Sequence, residues 1–314
     1  MLSIKKNDKK NDKKNDGIKI AKIKGGKNDG KYIYLNLDNN IINDDNLCKA
    51  LKVIKCGCKT KSKECPTIKE AIKNQIEPKN EEDKEKYYKV INELKKINFN
   101  EINIVGGKLE PIPRKDIVEK IYISAPSGAG KSTWCSRYIK EFLKMFKDDE
   151  LFVFSTIDYD KVLDKYEPIR IKLDEQLIDQ PIHPTEIENS LCVFDDVDTI
   201  INPRIRKSIC GLRDWLLEQG RHYNIRMLNT SHILMNYKKT QRLLNEATAV
   251  VFFPKASSTY HIKRYLKVYA GLENKQIRKI LNLPSRWVAL YRSYPKYVIH
   301  EKGAYLINTI DDDL

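Results

Sequence analysis

Ala125-Pro126-Ser127-Gly128-Ala129-Gly130-Lys131-Ser132-Thr133 has the spacing of a phosphate-binding loop, with four residues between the small Ala125 and Gly130-Lys131-Ser132. The usual first residue is glycine, and alanine is small enough to keep the turn. The residues before the loop are apolar and β-branched, Ile121-Tyr122-Ile123. Those after it repeat with a helical period: Trp134, Cys135, Tyr138, Ile139, Phe142, Leu143 and Phe146 fall on one face. A strand, a glycine-rich loop and a helix in that order make a nucleoside triphosphate site. Gly128 and Gly130 free the backbone to aim N–H groups at phosphate oxygens, and the helix N-terminus adds partial positive charge. Ser127 through Thr133 therefore form the expected ATP cradle. Lys131 would neutralise the β- and γ-phosphates, and the Ser132 hydroxyl would ligate Mg²⁺.

Downstream, strand-like and helical runs alternate, which predicts an α/β fold of the P-loop NTPase kind (RecA/ASCE-like): a mostly parallel sheet with helices on both faces. Leu151–Phe154 and Ser190–Phe194 read as strands, and Pro203 opens a helix whose apolar stripe is Ile205, Ile209, Leu212 and Leu216. Gly220 is the expected C-cap of that helix. Asn224–Leu228 and Thr248–Phe253 read as further strands, separated by a helix over roughly 238–245. A helix near 274–281 and three short runs at 287–292, 296–301 and 304–308 predict a β-rich C-terminal extension.

In open α/β sheets ligands sit at the carboxyl ends of the strands, so polar residues there are sorted by role. Leu191-Cys192-Val193-Phe194 runs into Asp195-Asp196, the form of a Mg²⁺-binding acidic strand end. Asp195 is expected to hold the cation opposite Ser132, and Asp196 to orient or deprotonate the attacking water. The alternative is an Asp-rich surface turn, since Asp198 comes next but one. Thr230-Ser231-His232 closes the next strand, and His232, with Ser231 second, is placed to sense the γ-phosphate. Arg242 lies beyond a strand's carboxyl end and is a candidate arginine finger or sensor.

Around this core lie 314 residues with 58 Lys+Arg against 43 Asp+Glu, a net charge of +15 that suits a polyanionic partner. Part of the excess is the repeat KKNDKKNDKKND at residues 5–16, so 1–16 is expected to be a disordered tail. Residues 17–112 read as an accessory region, and 113–314 as the ATPase domain with its extension. The accessory region opens with a hairpin from Ile18–Ile23 and Tyr32–Leu37, passes through an irregular stretch at 39–66, and turns helical over 68–98. Seven cysteines without a signal peptide read as reduced intracellular thiols. Cys48, Cys56, Cys58 and Cys65 cluster, but their spacing fits no common zinc module. No apolar run approaches a membrane span.

The order of phosphate loop, Asp195-Asp196, a helix ending in Gly220-Arg221-His222, a strand closing on Thr230-Ser231-His232, then Leu244-Asn245-Glu246 and Phe252-Phe253-Pro254 resembles the poxvirus-type virion DNA-packaging ATPases of large DNA viruses, a branch of the FtsK–HerA superfamily. The likeness spans roughly residues 115 to 255, and the Lys-, Asn- and Ile-rich composition suits an AT-rich giant-virus genome. It implies a ring-forming, Mg²⁺-dependent ATPase that moves double-stranded DNA into a capsid, with virion proteins as further partners, in the virion or host cytoplasm. Two other functions use the same loop. A small-molecule kinase would need an Arg-rich lid, and only Arg137 and Arg170 fall between 135 and 190. A slow ATP-binding switch is left open by Asp196, where Glu is the commoner residue.

Overall fold

A computed structural model describes residues 1–5, 17–36, 44–54, 64–74, 76–96 and 100–307. The N-terminal part contributes β1 (Leu2–Lys5), β2 (Ile18–Lys24), β3 (Tyr32–Leu35), α1 (Asp44–Val53), α2 (Glu64–Asn74), α3 (Glu81–Lys96), β4 (Glu101–Asn103) and β5 (Lys108–Pro111). Four of these strands form an antiparallel sheet in the order β1-β3-β2-β5. The expected hairpin is there as β2 and β3. The expected tail is corrected at its start. Leu2 to Lys5 pair with Leu35 to Tyr32, because Leu2 is apolar and finds a buried place beside Leu35. Residues 6–16, which hold most of the KKND repeat, lie outside the described residues. The stretch expected to be irregular contains α1, whose Leu47, Ala50 and Leu51 meet Ile68 and Ile72 of α2 and Val90 and Leu94 of α3 in a small core of their own. Cys48 is a free thiol on α1, whereas Cys56 and Cys58 lie outside the described residues.

The remaining chain carries β6 (Lys120–Ser124), α4 (Lys131–Met145), β7 (Glu150–Ser155), β8 (Ile169–Ile171), α5 (Gln176–Asp179), β9 (Ser190–Asp195), α6 (Pro203–Gln219), β10 (Ile225–Ser231), α7 (Tyr237–Glu246), β11 (Ala249–Phe252), α8 (Thr259–Val268), α9 (Asn274–Leu281), β12 (Val288–Tyr291), β13 (Tyr297–His300) and β14 (Gly303–Leu306). Among the described residues, ten strands make one sheet in the order β4-β14-β13-β12-β11-β6-β10-β9-β7-β8. From β11 to β8 every neighbouring pair is parallel; from β11 through β12 to β4 every pair is antiparallel. The insertion of β10 between the loop strand β6 and the acidic strand β9 is the additional-strand arrangement of P-loop NTPases, so the expected fold class stands. The antiparallel strands are the expected β-rich extension. Strand β4 lies N-terminal to the expected boundary at 112, yet it completes this sheet's edge against β14.

Strand residues alternate between two cores, as a pleat with both faces covered requires. Ile121, Ile123, Leu191 and Val193 pack with Trp134, Tyr138, Ile139 and Phe142 of α4, and the small N-terminal sheet adds Ile20, Ile23, Ile33 and Leu109 to that layer. Tyr122, Cys192, Phe194 and Met227 point the other way, toward Ile209 and Leu216 of α6, Leu243 of α7, Ile262 and Tyr265 of α8 and Ile280 of α9. Helix α6 starts where Asn202 accepts the Arg204 N–H at 2.9 Å, with Pro203 in the first turn. It ends with Gly220 as its C-cap, as expected, but Gly220 keeps a right-handed φ of −56° and donates its N–H to the Leu216 carbonyl; the chain then tightens into a 3₁₀ turn, and the left-handed residue is Asn224, at φ 52°.

Candidate nucleotide-binding site

Parallel pairing aligns Ser124 with Ser231 and Phe154 with Phe194, which gathers the carboxyl ends of β6, β10, β9 and β7 at one rim. Between β6 and α4 the loop turns on Gly128 (φ 74°) and Gly130 (φ 114°), the left-handed conformations that glycine adopts without strain. Ala125 keeps a negative φ, so a methyl group in place of the usual glycine costs nothing there. Its N–H donates to the Ser231 carbonyl at 3.1 Å and extends the ladder into the loop. Ser127 and Gly128 are exposed, Ala129, Gly130 and Ser132 half-buried, and Thr133 exposed on the first turn of α4. The cradle is therefore open to a ligand.

Lys131 is buried, and its ammonium folds back over the loop. Nζ donates to the Ala125 carbonyl at 2.9 Å, lies 3.3 Å from His232 Nδ1 and 3.6 Å from Asp196 Oδ2. His232 Nε2 reaches the same Asp196 Oδ2 at 3.0 Å. A neutral imidazole protonated on Nε2 satisfies both contacts, donating to Asp196 and accepting from Lys131. Residues from three different elements thus converge where a γ-phosphate would need charge and a water would need a base.

Asp195 and Asp196 are sorted by burial and by Thr230. Burial first, and the neighbouring charge of Asp196 after the opposing Thr230 hydrogen bond, hold the Asp195 carboxyl above the ordinary carboxylate range. Thr230 Oγ1 donates to Asp195 Oδ1 at 2.8 Å and accepts the Asp196 N–H at 3.0 Å. Asp196 itself sits at φ 47°, a left-handed position that Asp tolerates better than most residues. Ser155 Oγ adds a longer contact to Asp195 at 3.4 Å. A buried carboxylate with few donors at the end of β9, together with a hydroxyl such as that of Ser132 in the first turn of α4, is a donor set that fits Mg²⁺. That ion takes one or two protein oxygens and completes its shell with water and phosphate. The third acid belongs elsewhere: Asp198 Oδ1 accepts from the buried Arg213 of α6 at 3.0 Å, so the Asp-rich turn is not a bare surface loop.

The loop residues, Lys131, Asp195, Asp196 and His232 are brought together as the sequence suggests. Arg242 is not. It lies past the middle of α7, a helix that leads away from this rim, and its guanidinium pairs with Glu218 at 3.3 Å and Asp214 at 3.4 Å on α6. There it makes no ion pair or hydrogen bond with its own phosphate loop among the described residues, and the two acids of α6 hold its half-exposed side chain. Two contributors were missed. Thr230 shows its role only through register with Asp195. Arg286, just before β12, lies beside the loop: a Cβ placed on Gly130 would be 3.5 Å from Phe253 Cε1 and 3.9 Å from Arg286 Nη2. The Arg286 N–H is anchored to Glu301 at 2.9 Å, while its exposed guanidinium makes no ion pair among the described residues.

Among the described residues no helix is long and apolar enough to cross a membrane. No family model matches the chain. Among solved structures it is similar to the genome packaging NTPase B204 from Sulfolobus turreted icosahedral virus 2 in complex with AMPPCP, with a TM-score of 0.40 and 12% identity over 61% of this chain and 98% of that one. It is similar also to the pCW3 conjugation coupling protein TcpA, with a TM-score of 0.40 and 12% identity over 94% of this chain and 79% of that one. Its sequence is 38% identical over 216 residues to the uncharacterized protein V3 of Sputnik virophage, covering 68% of this chain and 87% of that protein. With a P-loop NTPase sheet, a complete phosphate loop and identity at that level over most of both chains, this protein belongs to the family of the virophage protein V3.

Proposed function

We propose that this chain is a Mg²⁺-dependent ATPase that couples hydrolysis to movement of double-stranded DNA as an oligomeric ring, in the packaging of a viral genome. The observation that carries the hydrolytic part is the convergence of Lys131, Asp196 and His232, with Asp196 Oδ2 3.0 Å from His232 Nε2 and 3.6 Å from Lys131 Nζ. The viral setting is supported by the virophage relative, and the DNA partner by the +15 net charge and the FtsK–HerA-like motif order.

In this mechanism the loop N–H groups from Ser127 to Thr133 and the Lys131 ammonium bind the phosphates. Ser132 and Asp195 would hold Mg²⁺, which when bound neutralises charge on the β- and γ-phosphates. Lys131 then exchanges its contacts with Ala125 and His232 for phosphate oxygens. Asp196, freed of the ammonium, accepts a proton from water as the water oxygen bonds to the γ-phosphorus. The bridging bond breaks and ADP leaves with its electron pair. His232 stays on Asp196 and fixes the direction of that carboxylate. Because the Asp196 N–H is hydrogen-bonded to Thr230 of β10, the state of the γ-phosphate is felt by the strand beside the site.

The test is steady-state ATP hydrolysis with and without long duplex DNA, beside Lys131→Ala. Turnover should fall at least ~100-fold in the variant, as expected when a principal charge contact to the transferred phosphoryl is lost. Wild-type turnover should rise several-fold with duplex. Turnover that depends on Lys131 but ignores DNA and capsid proteins would replace the motor with a slow ATP-driven switch.

A further inference from the structure

Resting on the DNA partner just proposed, we infer that the cleft between α8 and α9 is a binding site for the phosphate backbone of a double-stranded nucleic acid. The cleft has a volume of about 490 Å³ and is lined by Tyr260, Lys263, Arg264, Lys267, Asn274 and Arg278, among others. On α8 the first four fall at i, i+3, i+4 and i+7, a single stripe of the helix. The opposite stripe, Ile262, Tyr265 and Leu266, is buried in the core, so the basic stripe is held outward by packing.

Charge pairing separates this surface from an ordinary solvated helix. On α3 the lysines are matched to acids: Lys84 to Glu81 at 2.7 Å and Lys86 to Glu82 at 2.9 Å. On the far side of α9, Lys279 is matched to Glu101 at 2.6 Å. In the cleft, Lys263, Arg264, Lys267 and Arg278 form no ion pair among the described residues. From Ala247 through Leu272 the chain contains no Asp or Glu at all. The next acid along the chain, Glu273, has its carboxylate accepting the Gln276 N–H at the N-terminus of α9. Tyr260, 64% exposed, stands at the end of the stripe nearer the nucleotide rim, with its hydroxyl 3.4 Å from Arg264 Nη1. Four unpaired cations on one concave face, with a tyrosine able to hydrogen-bond a phosphate or stack on sugar, match a regularly charged backbone. Val268 and Ile277 add two apolar residues to the lining, too few to form the apolar core of a folded-protein interface. Helix α8 leaves the sheet just after β11, next to Phe253 and the loop. A strand held in the cleft is thus connected to the site through one short segment.

The test compares Lys263→Gln/Arg264→Gln/Lys267→Gln with Lys147→Gln/Lys161→Gln/Lys207→Gln, which removes the same charge at positions elsewhere. Fluorescence anisotropy with a short labelled duplex is measured over a salt series, with DNA-free ATP hydrolysis as the check on folding. The proposal expects the cleft variant to lose roughly tenfold or more in affinity and to flatten the log–log salt slope by about 3, one unit for each phosphate contact removed. The control variant should change little, and both should hydrolyse ATP at the wild-type basal rate. Equal losses in the two variants, or none in either, overturn the cleft as the site while leaving the motor intact. A wild-type protein that binds no duplex overturns the DNA partner itself. Capture of polyglutamate in place of duplex, through the same three residues, would assign the cleft to an acidic protein and overturn the proposal.

Discussion

At the residue scale, the site depends on side chains whose partners lie far away in sequence. Lys131 could be assigned from its motif, yet its present contacts, His232 and Asp196, come from the two neighbouring strand ends. Thr230 had no signal of its own. Threonine before Ser231-His232 reads as an ordinary strand residue until pairing sets it against Asp195. Arg286 is a second such residue. Its position in Ser285-Arg286-Trp287 says nothing about phosphate, but β12 pairs with β11, and that brings Arg286 to the edge of Gly130. An unpaired guanidinium beside an anion cradle supplies a charge-assisted contact worth about 1.5–3 kcal/mol. Arg286→Ala is therefore expected to weaken ATP binding about tenfold or more, with Arg286→Lys recovering part of it. Equilibrium titration with a fluorescent ATP analogue reads this directly, and unchanged affinity in the alanine variant would remove Arg286 from the site.

At the element scale, the C-terminal strands carry a pH response. His300 on β13 is 2% exposed, opposite Gly303 in β14 and 6.4 Å from the Tyr305 ring. Burial, partly opposed by Glu101 of β4 and seconded by Lys279 of α9, lowers its pKa from the ordinary 6.5 to about 4, with Glu301 acting weakly the other way. Between those values the unfolded chain takes up a proton that the folded chain refuses. Stability from this group is thus complete above about pH 6.5 and declines as the pH falls toward 4. The loss approaches about 3 kcal/mol at the lower end. Urea unfolding at a series of pH values should show this decline, and His300→Gln should flatten it between pH 6.5 and 4. A slope that survives the substitution would place the titration elsewhere.

At the scale of the whole molecule, one buried ion pair joins the ATPase core to its extension. Arg114 and Glu119 are 2% and 0% exposed, with Nε–Oε1 at 2.8 Å. Tyr138 of α4 donates to the same carboxylate at 2.7 Å, and Arg114 lies 4.9 Å from the centre of the Tyr291 ring of β12. Burial acts to lower the Arg114 pKa, and the Glu119 charge overrides it, so the guanidinium stays charged. Glu119→Ala leaves that charge uncompensated and is expected to cost about 3–5 kcal/mol in denaturant unfolding. Arg114→Met/Glu119→Leu should recover most of the loss, because the desolvation penalty disappears with both charges. A single variant costing under about 1 kcal/mol would show that water reaches the pair.

What the amino-acid sequence determined by itself is local and periodic. The 3.6-residue stripe from Trp134, the apolar runs ending in Ser124, Asp195 and Ser231, and the Gly128–Gly130 spacing are set by neighbours a few residues apart. Strand, loop and helix could therefore be placed without coordinates. Local signals failed where burial decided the outcome. Leu2–Lys5 becomes a strand because β3 offers it an edge, and α8 is hidden in a basic run whose apolar residues look sparse. The tertiary structure alone decided which ends meet. The insertion of β10 between β6 and β9 sets Thr230 on Asp195 and His232 on Asp196. The antiparallel return through β12 carries Arg286 to the loop, and α6 takes Arg242 away from it. Those pairings are fixed by sheet order and register, which depend on long-range burial across both faces, and no short window of sequence contains them.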